Sequence, residues 1–290
     1  MQANVQVLNP EVTPSFKIPK YLSRTARFLN RINVTWATSF ALKLFFKPLP
    51  FPIPKREEDM RNRATKHELL TKNAREFLVF ELRAEGPKVL MMHGWSGRGS
   101  QFFEIANFLH QKGFHILSIE APEHGELQGG PTHMIDFVDS VEETCRRFGD
   151  IDFAIGHSLG GMVLFNVLAR SFWFEKMVTI GSPASIENVV GDFCTKLEMD
   201  ERVTKGIIDY IESQYHIKAA EASSDYLCQV YRPEGLIIHD KQDQDVPVEN
   251  ARHMHQKWRG SRYMETEGLG HRRVLRDPEV HAAIYDFFKN

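Results

Sequence analysis

Ser158 stands at the centre of Gly156-His157-Ser158-Leu159-Gly160, directly after the apolar run Phe153–Ile155 and at the start of a helical pattern, Gly160–Ser171. A serine hydroxyl is a weak nucleophile until a base takes its proton, and it must stand clear of the backbone to reach a carbonyl carbon. A sharp turn between strand and helix lifts it, and glycines two residues to either side leave room for the chain to close in. The helix that follows aims free N–H groups and the positive end of its dipole at the place where negative charge would grow. A chance glycine-rich turn fits the five residues alone. The strand before and the helix after favour a nucleophile.

An oxyanion needs two converging donors. His93-Gly94-Trp95-Ser96-Gly97 follows the run Lys88–Met92, and the backbone N–H groups of Trp95 and Leu159 are the candidates. Gly94 permits close approach of the backbone. An acid and a base complete such a site. Past Leu236–Ile238 three aspartates compete in His239-Asp240-Lys241-Gln242-Asp243-Gln244-Asp245-Val246-Pro247. Asp243, in a D-x-x-V-P spacing, is preferred; Asp240 is nearer the strand and Asp245 abuts Val246, and the unused ones read as turn-forming or solvated. The string lacks the glycine and terminal glutamate of a calcium-binding EF-hand, so no metal is expected. Among 13 histidines, His271 in Gly268-Leu269-Gly270-His271-Arg272 is singled out by its late, glycine-flanked loop ahead of the helical segment Pro278–Lys289. His253 and His255, on an expected helix Val248–Trp258, read as exposed. His124 reads as structural, at the rim of a cleft.

The elements that must position these residues follow from hydrophobic periodicity. Glu76–Leu82, Lys88–Met92, His115–Ile119, Phe153–Ile155, Met177–Ile180 and Leu236–Ile238 are strand-length apolar runs. Phe102–Gln111, Met134–Phe148 and Gly160–Ser171 alternate with them as helices. That alternation predicts an α/β fold, a mostly parallel sheet flanked on both faces by helices. Residues 181–233 carry further helical patterns, Ile186–Leu197 and Val203–Tyr215, and are expected to form a small helical cap. Phe172, Trp173, Phe174 and Phe193 would suit an apolar acyl or aryl group there, although aromatic residues near helices are more often core.

Residues 1–55 are set apart as a basic N-terminal arm, leaving residues 56–290 as the catalytic domain. Up to residue 56 the chain holds nine Lys/Arg and a single acid, Glu11; the rest holds 27 basic and 37 acidic residues. Residues 1–20, with Pro10, Pro14 and Pro19, read as an irregular lead-in. From Tyr21 to Lys47 an amphipathic helix is expected, with Leu29, Ile32, Trp36, Phe40 and Leu44 on one stripe. Its longest uncharged run, Ile32–Leu42, has 11 residues, whereas a membrane-spanning helix needs about 20. The prolines of Pro48–Pro54 forbid a helix and mark the boundary. Such an arm either docks on the acidic body or lies in a membrane interface as a peripheral contact. Nucleic acid is not an expected partner, because the body is acidic and no binding module is recognisable. The oligomeric state is not readable. Cys145, Cys194 and Cys228 form no disulfide framework, and MQANVQVLNPEV lacks the features of a secretory signal, so a cytoplasmic location is expected.

In combination, the HGWSG, GHSLGG and GLGHRR blocks resemble the α/β-hydrolase superfamily, and within it small bacterial serine hydrolases. The resemblance runs over residues 75–290. It implies a mostly parallel sheet of about eight strands, a small cap, no cofactor, and transfer of an acyl group from a small-molecule ester to water. It maps Ser158 to the nucleophile, Asp243 to the acid, His271 to the base, and Trp95 and Leu159 to the oxyanion donors, in the chain order Ser, acid, His of that fold. Serine at the elbow speaks against dehalogenase or epoxide hydrolase chemistry. One departure is Glu123 in Ala121-Pro-Glu-His-Gly125, where the family's loop has a glycine. The expected activity is that of a carboxylesterase; a thioesterase, a lipase-like enzyme and a non-catalytic binding protein of the same fold are the alternatives.

Overall fold

The computed structural model describes residues 18–170 and 174–290. Eight strands form one sheet: β1 (Thr65–Leu70), β2 (Glu76–Leu82), β3 (Lys88–Met92), β4 (His115–Glu120), β5 (Phe153–His157), β6 (Lys176–Ile180), β7 (Glu234–Asp240) and β8 (Arg262–Thr266). Their spatial order is β1-β2-β4-β3-β5-β6-β7-β8, with β2 antiparallel to both of its neighbours and every other pairing parallel. The helices in chain order are α1 (Lys20–Ile32), α2 (Val34–Phe45), α3 (Glu58–Arg63), α4 (Phe103–Gln111), α5 (Met134–Phe148), α6 (Leu159–Leu168), α7 (Ile186–Lys196), α8 (Glu201–Tyr215), α9 (Ser224–Val230), α10 (Glu249–Lys257), α11 (Gly270–Arg273) and α12 (Pro278–Lys289).

Both sheet faces are buried, which is why the central strands read as unbroken apolar runs. On one face Leu90 and Met92 of β3 pack with Phe137 of α5, Val163 of α6 and Trp258 after α10. On the other, Val89 and Met91 pack with Ile105 of α4 and Ile284 of α12. The order changes direction at β3, whose neighbours are β4 and β5. Ligands of open α/β sheets bind beyond the carboxyl ends of the strands at such a reversal. Ser158 and the loop after β3 both lie there.

Two strands were not legible as apolar runs. β1 falls in the charged stretch after Lys55, and β8 overlaps Glu265; both are edge strands whose side chains stay largely exposed or half-buried. Little burial leaves little apolar signal. The arm differs from the single expected helix as well. Asn33 takes an extended conformation, ends α1, and accepts a hydrogen bond from the Trp36 N–H at 3.1 Å to cap α2. The expected stripe is therefore split: Leu29, Phe40 and Leu44 face the protein, while Ile32 and Trp36 are exposed. Ala26, Ala37 and Ala41 are the buried positions of α1 and α2, packed with Ile186, Val190 and Cys194 of α7 and Val203 and Ile207 of α8. Residues 1–17, most of the lead-in, and Ser171, Phe172 and Trp173 lie outside the described residues. Phe174 is core. The three cysteines are free and buried. No helix among the described residues is long and apolar enough to cross a membrane.

Small residues let the arm and cap helices approach closely. A Cβ added at Gly206 of α8 would lie 2.8 Å from Thr38 Oγ1 of α2, whereas nothing lies within 4 Å of a Cβ at Gly191 of α7. Gly206→Leu is therefore expected to lower stability by about 1–3 kcal/mol through overpacking. Gly191→Ala is expected to raise it by about 0.5–1 kcal/mol through backbone entropy. Urea midpoints of the two variants check both signs.

Candidate active site

The backbone at Ser158 has φ 54° and ψ −123°, a sparsely populated conformation for a residue with a side chain. It is pinned where strand meets helix: the Ser158 N–H donates to Ile180 O at 2.9 Å, and the Gly161 N–H closes onto Ser158 O at 3.0 Å. Across from it, a Cβ on Gly94 would fall 2.6 Å from the Ser158 Cβ. Only a residue without one lets the loop after β3 come this close. Trp95 and Leu159 line the same cavity as Ser158, and among the described residues neither backbone N–H has a hydrogen-bond acceptor. Trp95 is held by stacking on Phe137, with ring centroids 6.2 Å apart.

Asp243 and His271 meet from the ends of β7 and β8. The His271 Nδ1–H donates to Asp243 Oδ2 at 2.7 Å, while Asp243 Oδ1 accepts the N–H groups of Asp245 and Val246 at 2.8 and 2.9 Å. Burial alone would raise the Asp243 carboxyl, but hydrogen bonding from His239 and His271 and the charge of His271 outweigh it and hold the group well below the usual carboxylate range. Gly181, at φ 58°, makes room for the pair; a Cβ there would sit 3.2 Å from His271 Nδ1. Of the competing aspartates, Asp240 accepts from Thr266 Oγ1 and from the Leu269 N–H, which fixes the turn into α11. Asp245 lines the cavity. His271 itself lies in the short helix α11 rather than on an open loop. Asp243, Asp245 and His271 also bring ligand atoms within 4.8 Å of one another, but the Asp243 oxygens and His271 Nδ1 are already committed to each other and to the backbone.

Ser158, Trp95, Leu159 and His271 line one cavity of about 520 Å³. Its apolar lining includes Met162 of α6, Ile186, Val189 and Phe193 of α7, and Leu44, Phe45 and Phe46 at the end of α2. The segment after α2 crosses the site as a strap, where the Leu49 N–H donates to Ser96 Oγ at 2.9 Å and Arg272 lies over the Phe51 ring at 5.2 Å. The strap is anchored behind by Glu57, buried and bound by both Arg98 Nε and Nη2 at 2.6 and 2.5 Å. The proline run, read from sequence as a boundary, is part of the site.

Other residues went unnoticed because their roles need tertiary contacts. His157 donates through Nε2–H to His271 O at 2.8 Å and accepts from Gln101 Nε2 at 3.1 Å, tying the turn at Ser158 to α11. His93 accepts the Ala121 N–H at Nε2 and donates from Nδ1–H to Gly94 O. His124 accepts the Ser96 N–H and donates to Pro122 O, so it is structural as expected, and it is buried. Glu123 adopts φ 62°, the conformation a glycine would take without strain, and its carboxylate accepts from the Gly130 N–H and from Arg75 at 3.2 Å. His253 and His255 are exposed on α10.

Burial lowers His93 well below its ordinary value, His124 to about 4 and His157 to about 3, the last also by the neighbouring His271 charge. Unfolding at mildly acid pH then takes up protons, so their contribution to stability is complete above about 6.5 and is lost as pH falls toward 4. Glu120, raised to about 7 by burial, acts in the opposite sense over the same window. The histidines outnumber it. Stability should drop between pH 7 and 5, by about 1.4 kcal/mol per pH unit for each net proton taken up. His124→Gln should flatten that slope. Urea midpoints that are equal at both pH values would contradict it.

A family model for the alpha/beta hydrolase fold matches residues 87–192, and no curated protein matches the chain. Among solved structures, an esterase from Exiguobacterium antarcticum superposes with a TM-score of 0.59 at 16% identity, covering 78% of this chain and 100% of that one. An esterase from Rhodococcus gives 0.60 at 15%, covering 78% and 98%. A meta-cleavage product hydrolase from Pseudomonas fluorescens gives 0.57 at 18%, covering 79% and 98%. At such identities the likeness is one of fold. With the sheet order and the sequence match, it gives the chain the alpha/beta hydrolase fold.

Proposed function

We propose that the protein is a serine hydrolase that cleaves a carboxylic ester through an acyl-enzyme. The observation that carries this reading is the Asp243–His271 hydrogen bond of 2.7 Å beside a cavity that Ser158 enters on a strained turn. In a structural role, a fully satisfied carboxylate paired to a histidine would not also need a serine held at positive φ across from two unused N–H groups.

The chemistry runs in two halves. Ser158 Oγ attacks the carbonyl carbon as His271 takes its proton, and Asp243 stabilises the imidazolium. The N–H groups of Trp95 and Leu159, with the N-terminus of α6 behind the second, hold the oxyanion. The intermediate collapses with cleavage of the ester C–O bond, and the leaving alcohol takes the proton from His271. Water, activated by the same imidazole, then attacks the acyl group and releases the acid and Ser158. The apolar cavity walls favour an uncharged acyl group.

A fluorophosphonate probe should label the native protein and not Ser158→Ala; labelling of both alike would refute the nucleophile. Asp243→Asn is expected to lower kcat on the order of 10⁴-fold by misplacing the imidazole proton, with KM little changed. Asp240→Asn, which leaves the acid–base pair in place, should retain far more. Rates on p-nitrophenyl esters of the three proteins, compared across rising chain length, check the assignment of the acid and map the acyl pocket together.

A further inference from the structure

Helix α1 carries apolar side chains over a wider face than the one it buries. Leu22, Ala26 and Leu29 face inward, where Ala26 is fully buried against the cap and Leu22 lines the cavity. Tyr21, Phe28 and Ile32, spaced seven and four apart, form a second stripe that is 66%, 62% and 55% exposed, and Trp36 follows in the first turn of α2 at 61%. These are four of the nine large hydrophobic side chains exposed among the described residues. An amphipathic helix that only had to cover the protein would be polar on this side.

The charges around the stripe are of one sign. No acidic residue occurs from Val12 to Arg56. Arg27 pairs with Glu198 at 2.9 Å, but among the described residues Lys20, Arg24, Arg31, Lys43 and Lys47 are exposed and in no ion pair. Aromatic and aliphatic side chains interleaved with Arg and Lys on a helix too short to span suit the boundary between lipid headgroups and acyl chains. Each nearby cation adds attraction to an anionic leaflet.

We infer that the outer face of α1 and the start of α2 dock on an anionic lipid surface, with Phe28, Ile32 and Trp36 inserted and Arg24 and Arg31 on headgroups. The same two helices wall the cavity through Leu22, Leu44, Phe45 and Phe46. Docking thus sets the acyl-binding cavity beside the bilayer, where esters with long apolar chains reside; this substrate class rests on the hydrolase reading, whereas the docking does not.

The test uses the full chain, as native protein and as Ser158→Ala, with sedimenting vesicles of phosphatidylcholine alone or mixed with phosphatidylglycerol. Both proteins should pellet with the mixed vesicles and much less with neutral ones. Phe28→Ser with Trp36→Ser, and separately Arg24→Glu with Arg31→Glu, should each lower the partition coefficient at least about tenfold, with melting temperatures unchanged. Added salt should weaken the native protein's binding. The inference is overturned if no vesicle binds, or if both variants bind as the native protein does. It is also overturned if gel filtration shows a dimer that Phe28→Ser with Trp36→Ser abolishes while vesicle binding persists. In an active protein the Phe28→Ser, Trp36→Ser variant should hydrolyse a soluble short-chain ester normally and a vesicle-embedded long-chain ester slowly. Equal loss on both substrates would refute membrane delivery of the substrate, while absent fluorophosphonate labelling would refute the hydrolase reading and leave the binding result standing.

Discussion

One carboxylate organises the edge of the sheet where the site lies. Asp243 accepts two backbone N–H groups through one oxygen and the His271 imidazole through the other. The first pair of bonds folds the turn after β7 into a fixed shape, and the third draws α11 against it. Were the turn looser, the imidazole would lose both its tautomer and its aim. Around this bond the molecule makes allowances. Gly181 gives up its side chain, Asp240 holds the approach to α11, and His157 reaches from the elbow to a backbone carbonyl of the base itself. The candidate nucleophile and its base therefore share a scaffold of hydrogen bonds as well as a cavity.

What could be read in the sequence was what depends on a few consecutive residues. GHSLG was legible because a strained turn constrains five neighbours at once, and the six buried strands because two covered faces demand apolar runs. Asp243, Asp240 and Asp245 could not be separated with certainty from spacing alone, since which of them meets His271 is decided by a turn whose hydrogen bonds form only in the fold. The edge strands β1 and β8 were lost for the opposite reason: half-buried strands need few apolar residues. The arm misled most. Its helical period breaks at Asn33, and Ile32 and Trp36 of the expected stripe face outward, while Ala37 and Ala41 seat α2 where it approaches α8 closely at Gly206.

That close approach also shows which forces seat the arm. The Arg27–Glu198 pair is about half exposed, and such surface pairs contribute at most about 1 kcal/mol. The alanine seam and the aromatic contact of Phe45 with Phe193, centroids 5.1 Å apart, remove far more apolar surface from water. The charge asymmetry of the chain is therefore not what fastens the arm to the body. Most of its positive charge is turned outward.

The bond from the Leu49 N–H to Ser96 Oγ has a consequence for the order in which the molecule comes together. α1 and α2 leave the ribosome before α7 and α8, the surfaces they rest on, which are made well over a hundred residues later. Contacts so distant in sequence close late. The arm must therefore wait, its apolar sides uncovered, while the sheet, α7 and α8 are synthesised, and only then is the strap drawn over the loop after β3. Until then the cavity beside Ser158 has no roof.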